Sequence, residues 1–210
     1  MQRVFVDAEH PDDPSIAAAV EVLRQGGVVA FPTDTLYGLA VDPRSDAAVA
    51  KLFALKGRGA SAAVPLIAST IEQVLLAGAE GTIGALERRL AEAFWPGPLS
   101  IVIRPSAAIA PRVLGGAATV AVRVPAHAVA RQLAAALGFC ITATSANPTG
   151  SAPAASADDV AAALPDVDVL LDGGNAPGGA PSTIIGFDSQ GPVLVRAGAI
   201  AWERVLKSLQ

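Results

Sequence analysis

Hydrophobic and polar positions along the chain follow two periods, which together predict a mixture of helices and short buried strands. Apolar side chains recur at helical spacing near the start of the chain, at Ile16, Ala19, Val20 and Leu23. Short apolar runs instead predict strands, at 28–31, 64–68, 99–104, 139–144, 167–171 and 182–187. Because strands and helices succeed one another irregularly, we expect an α/β fold with helices packed on a mixed sheet.

The most informative stretch runs from Gly26 to Arg58 and predicts a strand, a loop, a helix and a second loop. Ser45 or Asp46 is placed to cap the helix at its N-terminus. One face of this helix repeats at i, i+3, i+4 and i+7, at Val49, Leu52, Phe53 and Lys56. Lys56 therefore falls in line with the buried face at the end of the helix, and Gly57 allows Arg58 to follow on a loop.

Lys56 and Arg58 are predicted to face three short polar side chains, Thr33–Thr35, at the end of the preceding strand. A cation in the last turn of a helix is favoured by the helix macrodipole alone, which is the alternative explanation for Lys56. Two cations facing a Thr-Asp-Thr turn are better explained by a site for an anion.

A second candidate position for binding an anion lies in the stretch 118–124, which alternates as a strand does. Valines occupy one face, whereas Thr119, Ala121 and Arg123 share the other. An arginine that points inward from a sheet needs an anionic partner, and the neighbouring sequence offers no obvious carboxylate. The alternative is an edge strand with Arg123 in water.

Length and composition indicate a compact globular protein. The 210 residues contain 52% hydrophobic and 16% charged side chains, with no internal repeat and no linker, so we predict one domain over 1–210. A net charge of −4 gives no general attraction to nucleic acid or to anionic membranes. The one cysteine, Cys140, is predicted to be a buried thiol. Without a leader or an apolar span, the expected location is the cytoplasm.

Several common catalytic patterns are missing from the sequence. The two histidines, His10 and His127, have no metal-ligand partners at suitable spacing, and there is no nucleophile elbow and no Walker-type loop. Scattered aspartates at 34, 172 and 188 are more typical of turns than of a magnesium site. Cations and hydroxyls at element ends remain, at Lys56, Arg58, Thr119, Arg123, Ser145, Asn147, Ser182 and Arg196. They suit transfer at phosphorus, which proceeds by positioning and charge stabilisation.

Eight segments of the chain resemble the YrdC-type threonylcarbamoyl-AMP synthase family in its short, single-domain form. They are GGVVAFPTDTLYGLAVD, LKGR, WPGPLS, TVAVRVPAH, TSAN, LLDGG, PSTII and VLVRAG, in the family's order. The resemblance implies a twisted mixed sheet around a deep polar cavity. It also implies a nucleotidyltransferase that converts ATP, L-threonine and bicarbonate into threonylcarbamoyl-AMP and pyrophosphate.

The resemblance also implies roles for individual residues. Lys56 and Arg58 would be catalytic and, with Ser145 and Asn147, would handle the nucleotide phosphates. Further ATP contacts would come from Thr119, Ser151 and Arg196. Threonine would be bound by Thr33, Arg123, Ala143 and Ser182. Mg²⁺ would be carried by ATP, with no protein side chain as a metal ligand.

The product would pass to a tRNA threonylcarbamoyl transferase complex for modification of tRNA, without stable nucleic-acid binding or membrane association by this chain. The sequence departs from the family pattern at Gly59 and Ala197, where proline is usual, and it lacks a histidine just after the strand near 64–68. Two alternatives therefore stay open. One is a paralogue of the same fold with a different substrate, and the other is a non-catalytic module that binds RNA or a nucleotide.

Overall fold

The computed structural model describes residues 1–11, 13–59 and 62–210, and within them the chain forms eight helices and eleven strands. The helices are α1 Asp13–Arg24, α2 Asp46–Lys56, α3 Ile71–Ala77, α4 Ala85–Phe94, α5 Pro111–Leu114, α6 Ala128–Leu137, α7 Ala157–Ala163 and α8 Trp202–Ser208. The strands are β1 Gln2–Phe5, β2 Val29–Phe31, β3 Gly38–Ala40, β4 Leu66–Ile67, β5 Leu99–Ile103, β6 Val120–Arg123, β7 Ile141–Thr142, β8 Thr144–Ser145, β9 Val169–Asp172, β10 Thr183–Asp188 and β11 Gly191–Arg196.

The strands form mixed parallel and antiparallel pairs, as predicted, but they are divided between two sheets. One sheet has the order β1-β9-β2-β3-β8, and the other has the order β11-β10-β5-β6-β4-β7. The chain passes from one sheet to the other at Ala143, which lies between β7 and β8. The sheets are joined there, because Thr142 donates its backbone N–H to the Val41 carbonyl (3.2 Å) and its hydroxyl accepts from the Val41 N–H (2.9 Å).

Helix α2 begins and ends as its sequence predicts. The Ser45 hydroxyl accepts a hydrogen bond from the backbone N–H of Ala48 at 3.2 Å, which satisfies one of the free donors of the first turn. Gly57 ends the helix in the left-handed conformation, with φ of 59°. The predicted face, Val49, Leu52, Phe53 and Lys56, is buried. The helix therefore delivers Lys56 into the interior and Arg58 to the loop beyond.

Strand β3 lies inside the segment that was expected to be a loop. It pairs antiparallel with β2, and Gly38 stands opposite Phe31. A Cβ on Gly38 would meet the Phe31 ring at 3.1 Å, so the pairing depends on a residue without a side chain. A three-residue strand that begins with glycine has no clear sequence signal, and the single turn α5 was missed for the same reason of length.

Two clusters of buried apolar side chains support these sheets. The larger cluster joins strands of both sheets to α2 and α4, and the smaller one packs α1 and α6 against β2 and β9. Cys140 is buried in the larger cluster, as predicted, and burial raises the pKa of its thiol to about 12. None of the helices in the described ranges is long and apolar enough to cross a membrane.

Candidate functional site

A cleft of ≈ 450 Å³ is lined by residues of both sheets and contains most of the predicted site. The predicted site residues that line it are Thr33, Arg58, Arg123, Ala143, Ser145, Ser182 and Arg196. Its walls mix these polar groups with apolar side chains such as Leu36 and Ile184. The predicted residues Lys56, Thr119, Asn147 and Ser151 are not among those that line it.

Lys56 lies behind the cleft wall, and its ammonium is held by backbone carbonyls. Its side chain is buried, and Nζ donates hydrogen bonds to the carbonyls of Ser145 (2.5 Å) and Asn147 (2.6 Å). Burial, and secondarily the charge of Arg58, lowers the pKa of Lys56 to about 8. An ammonium has three N–H donors, so one remains for a further acceptor.

Arg58 reaches the cleft from the loop after α2. It donates to the hydroxyl of Thr144 (3.0 Å) and to the carbonyl of Ala63 (2.7 Å). Its Nε is buried and has no hydrogen-bond partner in the described part of the chain. Burial lowers the pKa of this guanidinium. An anion beside Arg58 would therefore relieve both an unpaired donor and an uncompensated charge.

Asn147 orders the loop that follows β8. Its side-chain amide donates to the carbonyls of Pro148 (3.0 Å) and Ser151 (2.7 Å). The amide oxygen of Asn147 is buried and, among described residues, has no donor. The backbone carbonyl of Lys56 accepts a hydrogen bond from the Thr149 N–H at 2.8 Å. Both the side chain and the backbone of Lys56 therefore fix this loop to the end of α2.

The structure does not bring the side chains of Thr119 and Ser151 to the cleft. Thr119 precedes β6 and Arg123 ends it, so they are separated by about 13 Å at ~3.3 Å per residue. Ser151 is exposed, and it contributes its backbone carbonyl to Asn147. Their roles toward ATP stay predictions.

Arg123 does have a carboxylate partner, contrary to what the local sequence indicated. Its NH1 lies 2.6 Å from Oδ1 of Asp34, and both side chains are largely buried. Strand β6 pairs with β5 and β4, so the alternative of an edge strand with Arg123 in water is wrong. Sequence reasoning missed Asp34 as a site residue, although its position between Thr33 and Thr35 was the available signal.

Arg196 also lines the cleft and is held by Ser182. Its NH2 donates to the carbonyl (2.6 Å) and the hydroxyl (3.0 Å) of Ser182. The Ser182 hydroxyl also lies 3.0 Å from that of Ser100, a cleft residue that belongs to the WPGPLS segment but was not among the predicted site residues. Burial, and secondarily the positive charge of Arg123, lowers the pKa of Arg196. The two guanidiniums are therefore close enough for their like charges to interact unfavourably.

Thr33 is fixed by its own turn. Its hydroxyl donates to the Leu36 carbonyl (2.7 Å) and accepts from the backbone N–H groups of Thr35 (3.1 Å) and Leu36 (3.2 Å). Such a turn holds the side chain rigidly at the cleft wall.

The electrostatic character of the site follows from these contacts. Within the described ranges Lys56, Arg58 and Arg196 form no salt bridge with a carboxylate, whereas Arg123 does. Lys56 is buried, Arg58 is half-buried and Arg196 is exposed, and these three cations without counter-charge lie around one cleft, together with hydroxyls and backbone groups. The arrangement is suited to bind a polyanion beside a smaller carboxylate.

Known proteins resemble this chain over most of its length. Residues 21–198 match the Sua5/YciO/YrdC family model, whose description reads "Telomere recombination". A protein of Chromohalobacter salexigens named threonylcarbamoyl-AMP synthase is 43% identical over 172 residues, which cover 80% of this chain and 90% of that protein. A Bacillus subtilis protein of the same name is 36% identical over 210 residues, covering 97% of this chain and 60% of that protein.

A solved structure gives the same picture. P. abyssi Sua5 complexed with L-threonine superposes with a TM-score of 0.93 at 34% identity, covering 99% of this chain and 61% of that one. The chain thus spans about three fifths of the length of the B. subtilis and P. abyssi relatives.

Proposed function

The chain belongs to the Sua5/YciO/YrdC family, and on that premise we propose that it is an L-threonylcarbamoyladenylate synthase. It forms threonylcarbamoyl-AMP, pyrophosphate and water from ATP, L-threonine and bicarbonate. The observation that carries this proposal is the group of uncompensated cations, Lys56, Arg58 and Arg196, around a cleft that also presents Arg123. The names of the relatives, and the threonine in a relative 34% identical to this chain, support the same reaction.

Threonine binds at the part of the cleft formed by Arg123, Thr33, Ala143 and Ser182. Arg123 pairs with the amino acid's carboxylate through charge-assisted hydrogen bonds. The Thr33 hydroxyl donates to the Leu36 carbonyl and accepts from two backbone N–H groups, so it shapes this part of the cleft and leaves the amino group to the backbone of Ala143. Together these contacts fix the amino group before it reacts.

The reaction proceeds in two bond-forming steps. The amino group attacks the carbon of bicarbonate, forming the N–C bond of a carbamate and releasing water. A carbamate oxygen then attacks the α-phosphorus of ATP, and the bond from that phosphorus to the bridging oxygen of pyrophosphate breaks. Transfer at phosphorus needs no nucleophile from the enzyme, so position and positive charge determine the rate.

Lys56 and Arg58 supply the positive charge that this transfer requires. Arg58 has an unpaired buried N–H, and Lys56 has one N–H beyond those used by Ser145 and Asn147. Both cations gain a counter-charge when the triphosphate binds, and both offset the charge that builds on the leaving pyrophosphate. Arg196 and Ser145 complete the nucleotide contacts at the cleft wall.

Magnesium enters with ATP, held by the phosphates. The side-chain amide oxygen of Asn147, which accepts from no described residue, is a hard oxygen beside Lys56 that would suit the hydration shell of a nucleotide-bound ion, with the phosphates as its ligands. When bound, the ion supplies positive charge to the phosphate oxygens.

The product is a mixed anhydride of a carbamic acid and AMP, which is a reactive donor of the threonylcarbamoyl group. We propose that it passes in the cytoplasm to a tRNA threonylcarbamoyl transferase complex. The net charge of −4 supports a role in which this chain hands over a small molecule without holding tRNA.

Pyrophosphate release tests this function directly. The protein is incubated with ATP, Mg²⁺ and bicarbonate across a panel of amino acids, with Lys56→Ala as the control. Release that requires both threonine and bicarbonate, and is lost in the variant, is the expected result. Preference for another amino acid would establish the paralogue, which the departures at Gly59 and Ala197 keep open. Salt-sensitive RNA binding without any turnover of ATP would establish the non-catalytic module.

A further inference from the structure

The ion pair between Asp34 and Arg123 uses one nitrogen of the guanidinium, whereas both oxygens of the Asp34 carboxylate accept hydrogen bonds. Oδ1 of Asp34 accepts a hydrogen bond from NH1 of Arg123 at 2.6 Å, and Oδ2 accepts one from the backbone N–H of Ala126 at 3.2 Å. The side chains are only 12% and 8% exposed, so water screens the pair weakly. Both carboxylate oxygens are thus used, and each joins Asp34 to the segment at the end of β6.

Asp34 holds Arg123 from behind the cleft. Arg123 lines the cleft, but Asp34 is not among its lining residues. NH1, the atom held by Asp34, also lies 3.4 Å from the Gly97 carbonyl. By contrast, Nε and NH2 of Arg123 donate to no residue in the described ranges. These two donors form one edge of the guanidinium, and that edge matches the two oxygens of a carboxylate.

We propose that Asp34 is a positioning residue that presents the Nε–NH2 edge of Arg123 to the carboxylate of the amino-acid substrate. The proposal rests on the proposed function, because it concerns the same cleft. A free arginine side chain loses rotamer freedom when it binds, and a side chain already fixed by NH1 loses less. Asp34 also compensates the charge of Arg123 without occupying the edge that the substrate needs.

Two other roles for Asp34 are separable from this one. A carboxylate that competes with the substrate would have to reach the cleft-facing edge, whereas Asp34 holds the other side of the guanidinium. A carboxylate that merely ties the Thr33–Thr35 turn to the β6–α6 connection would contribute to the stability of the fold. Its loss would then change the KM values for all substrates to a similar extent. A positioning residue affects the amino acid selectively, and only while Arg123 is present.

Steady-state kinetics of Asp34→Asn measure this selectivity. The amide keeps the shape but has a single acceptor oxygen in place of two, so the hydrogen bond to either Arg123 or Ala126 is lost and the negative charge with it. We expect the KM for threonine to rise about 10- to 100-fold, the range for loss of a charge-assisted hydrogen bond, with kcat and the KM for ATP changed less than about threefold. In an Arg123→Ala background the same substitution should have no further effect on the KM for threonine.

Asp42→Asn is the matched control. Asp42 is 13% exposed and pairs with Arg44 at 2.7 Å, away from the cleft, so its loss tests the removal of a similar ion pair alone. Thermal unfolding of each variant shows whether it is folded. Arg123→Lys keeps a positive charge for Asp34 but loses the two-donor edge, so it should raise the KM for threonine as well.

The outcomes separate the inference from the function on which it rests. An active wild-type protein in which Asp34→Asn behaves like Asp42→Asn, or in which the Asp34 and Arg123 effects add, overturns the role of Asp34 and leaves the synthase intact. A lower KM for threonine in Asp34→Asn would show that the Asp34 carboxylate competes with the substrate carboxylate for Arg123, and it would also overturn the role of Asp34. A wild-type protein that releases no pyrophosphate with threonine contradicts the proposed function itself, and the positioning role falls with it.

Discussion

The affinity for ATP should fall as the pH rises through about 8, because Lys56 loses its charge there. Burial, and secondarily the charge of Arg58, lowers the pKa of Lys56 to about 8. The phosphates favour the ammonium, so the complex binds the proton more tightly than the free protein does. Binding is then linked to uptake of a proton, and affinity declines with increasing pH. For a pKa near 8, about nine tenths of Lys56 is charged at pH 7 and about one tenth at pH 9, which predicts a loss of about tenfold in affinity.

The assay is the dissociation constant for ATP at fixed Mg²⁺ and ionic strength, measured from pH 7 to pH 9. Lys56→Met removes the titrating group, and Lys56→Arg keeps a charge across the whole range. ATP and Mg²⁺ titrate identically in all three proteins, so only the difference in slope between wild type and variants is assigned to Lys56. Parallel pH dependences in all three proteins would refute the reasoning, because Lys56 would then not sense the bound phosphates.

Five further substitutions test the site and the elements that position it. Arg123→Ala should raise the threonine KM strongly while Lys56→Ala mainly lowers kcat, and equal, small effects on both would argue against the assignment. Leu52→Ala, in the fully buried face of α2, should lower the free energy of unfolding by about 2–5 kcal/mol in urea titrations; a change below about 0.5 kcal/mol would contradict the packing. Gly57→Ala should destabilise by about 1–2 kcal/mol because φ is 59°, whereas Gly59→Ala, with open space and no positive φ, should stay within about 0.5 kcal/mol.

Features that depend on local sequence were predicted well. The Ser45 cap, the buried face of α2 and the Gly57 terminus all arise from interactions within a few residues, and the periodicity and cap residues report them directly. The periodicity of α2 also placed Lys56 at the end of its buried face. The segments that resemble the family then identified most of the cleft, because its walls are the ends of predicted strands.

Features that depend on pairing between distant segments were not predictable in the same way. Asp34 and Arg123 are 89 residues apart, so alternation along β6 shows that Arg123 points inward without showing what it meets. Likewise, the carbonyls of Ser145 and Asn147 that hold Lys56 lie at the end of β8 and in the loop after it, 89 and 91 residues away along the chain. The division into two sheets follows from which distant strands pair with one another, and a hydrophobic pattern along the chain does not record that choice.

The most direct test of the synthase assignment follows a labelled carbon from bicarbonate. The protein is incubated with labelled bicarbonate, ATP, Mg²⁺ and threonine, and the nucleotide products are separated and weighed by mass spectrometry. A synthase should form an adenylate that contains one labelled carbon and one threonine. This product should appear in a ratio of one to one with pyrophosphate and be absent when threonine is omitted. Pyrophosphate release without label in an adenylate, or label that does not depend on threonine, would contradict the synthase assignment.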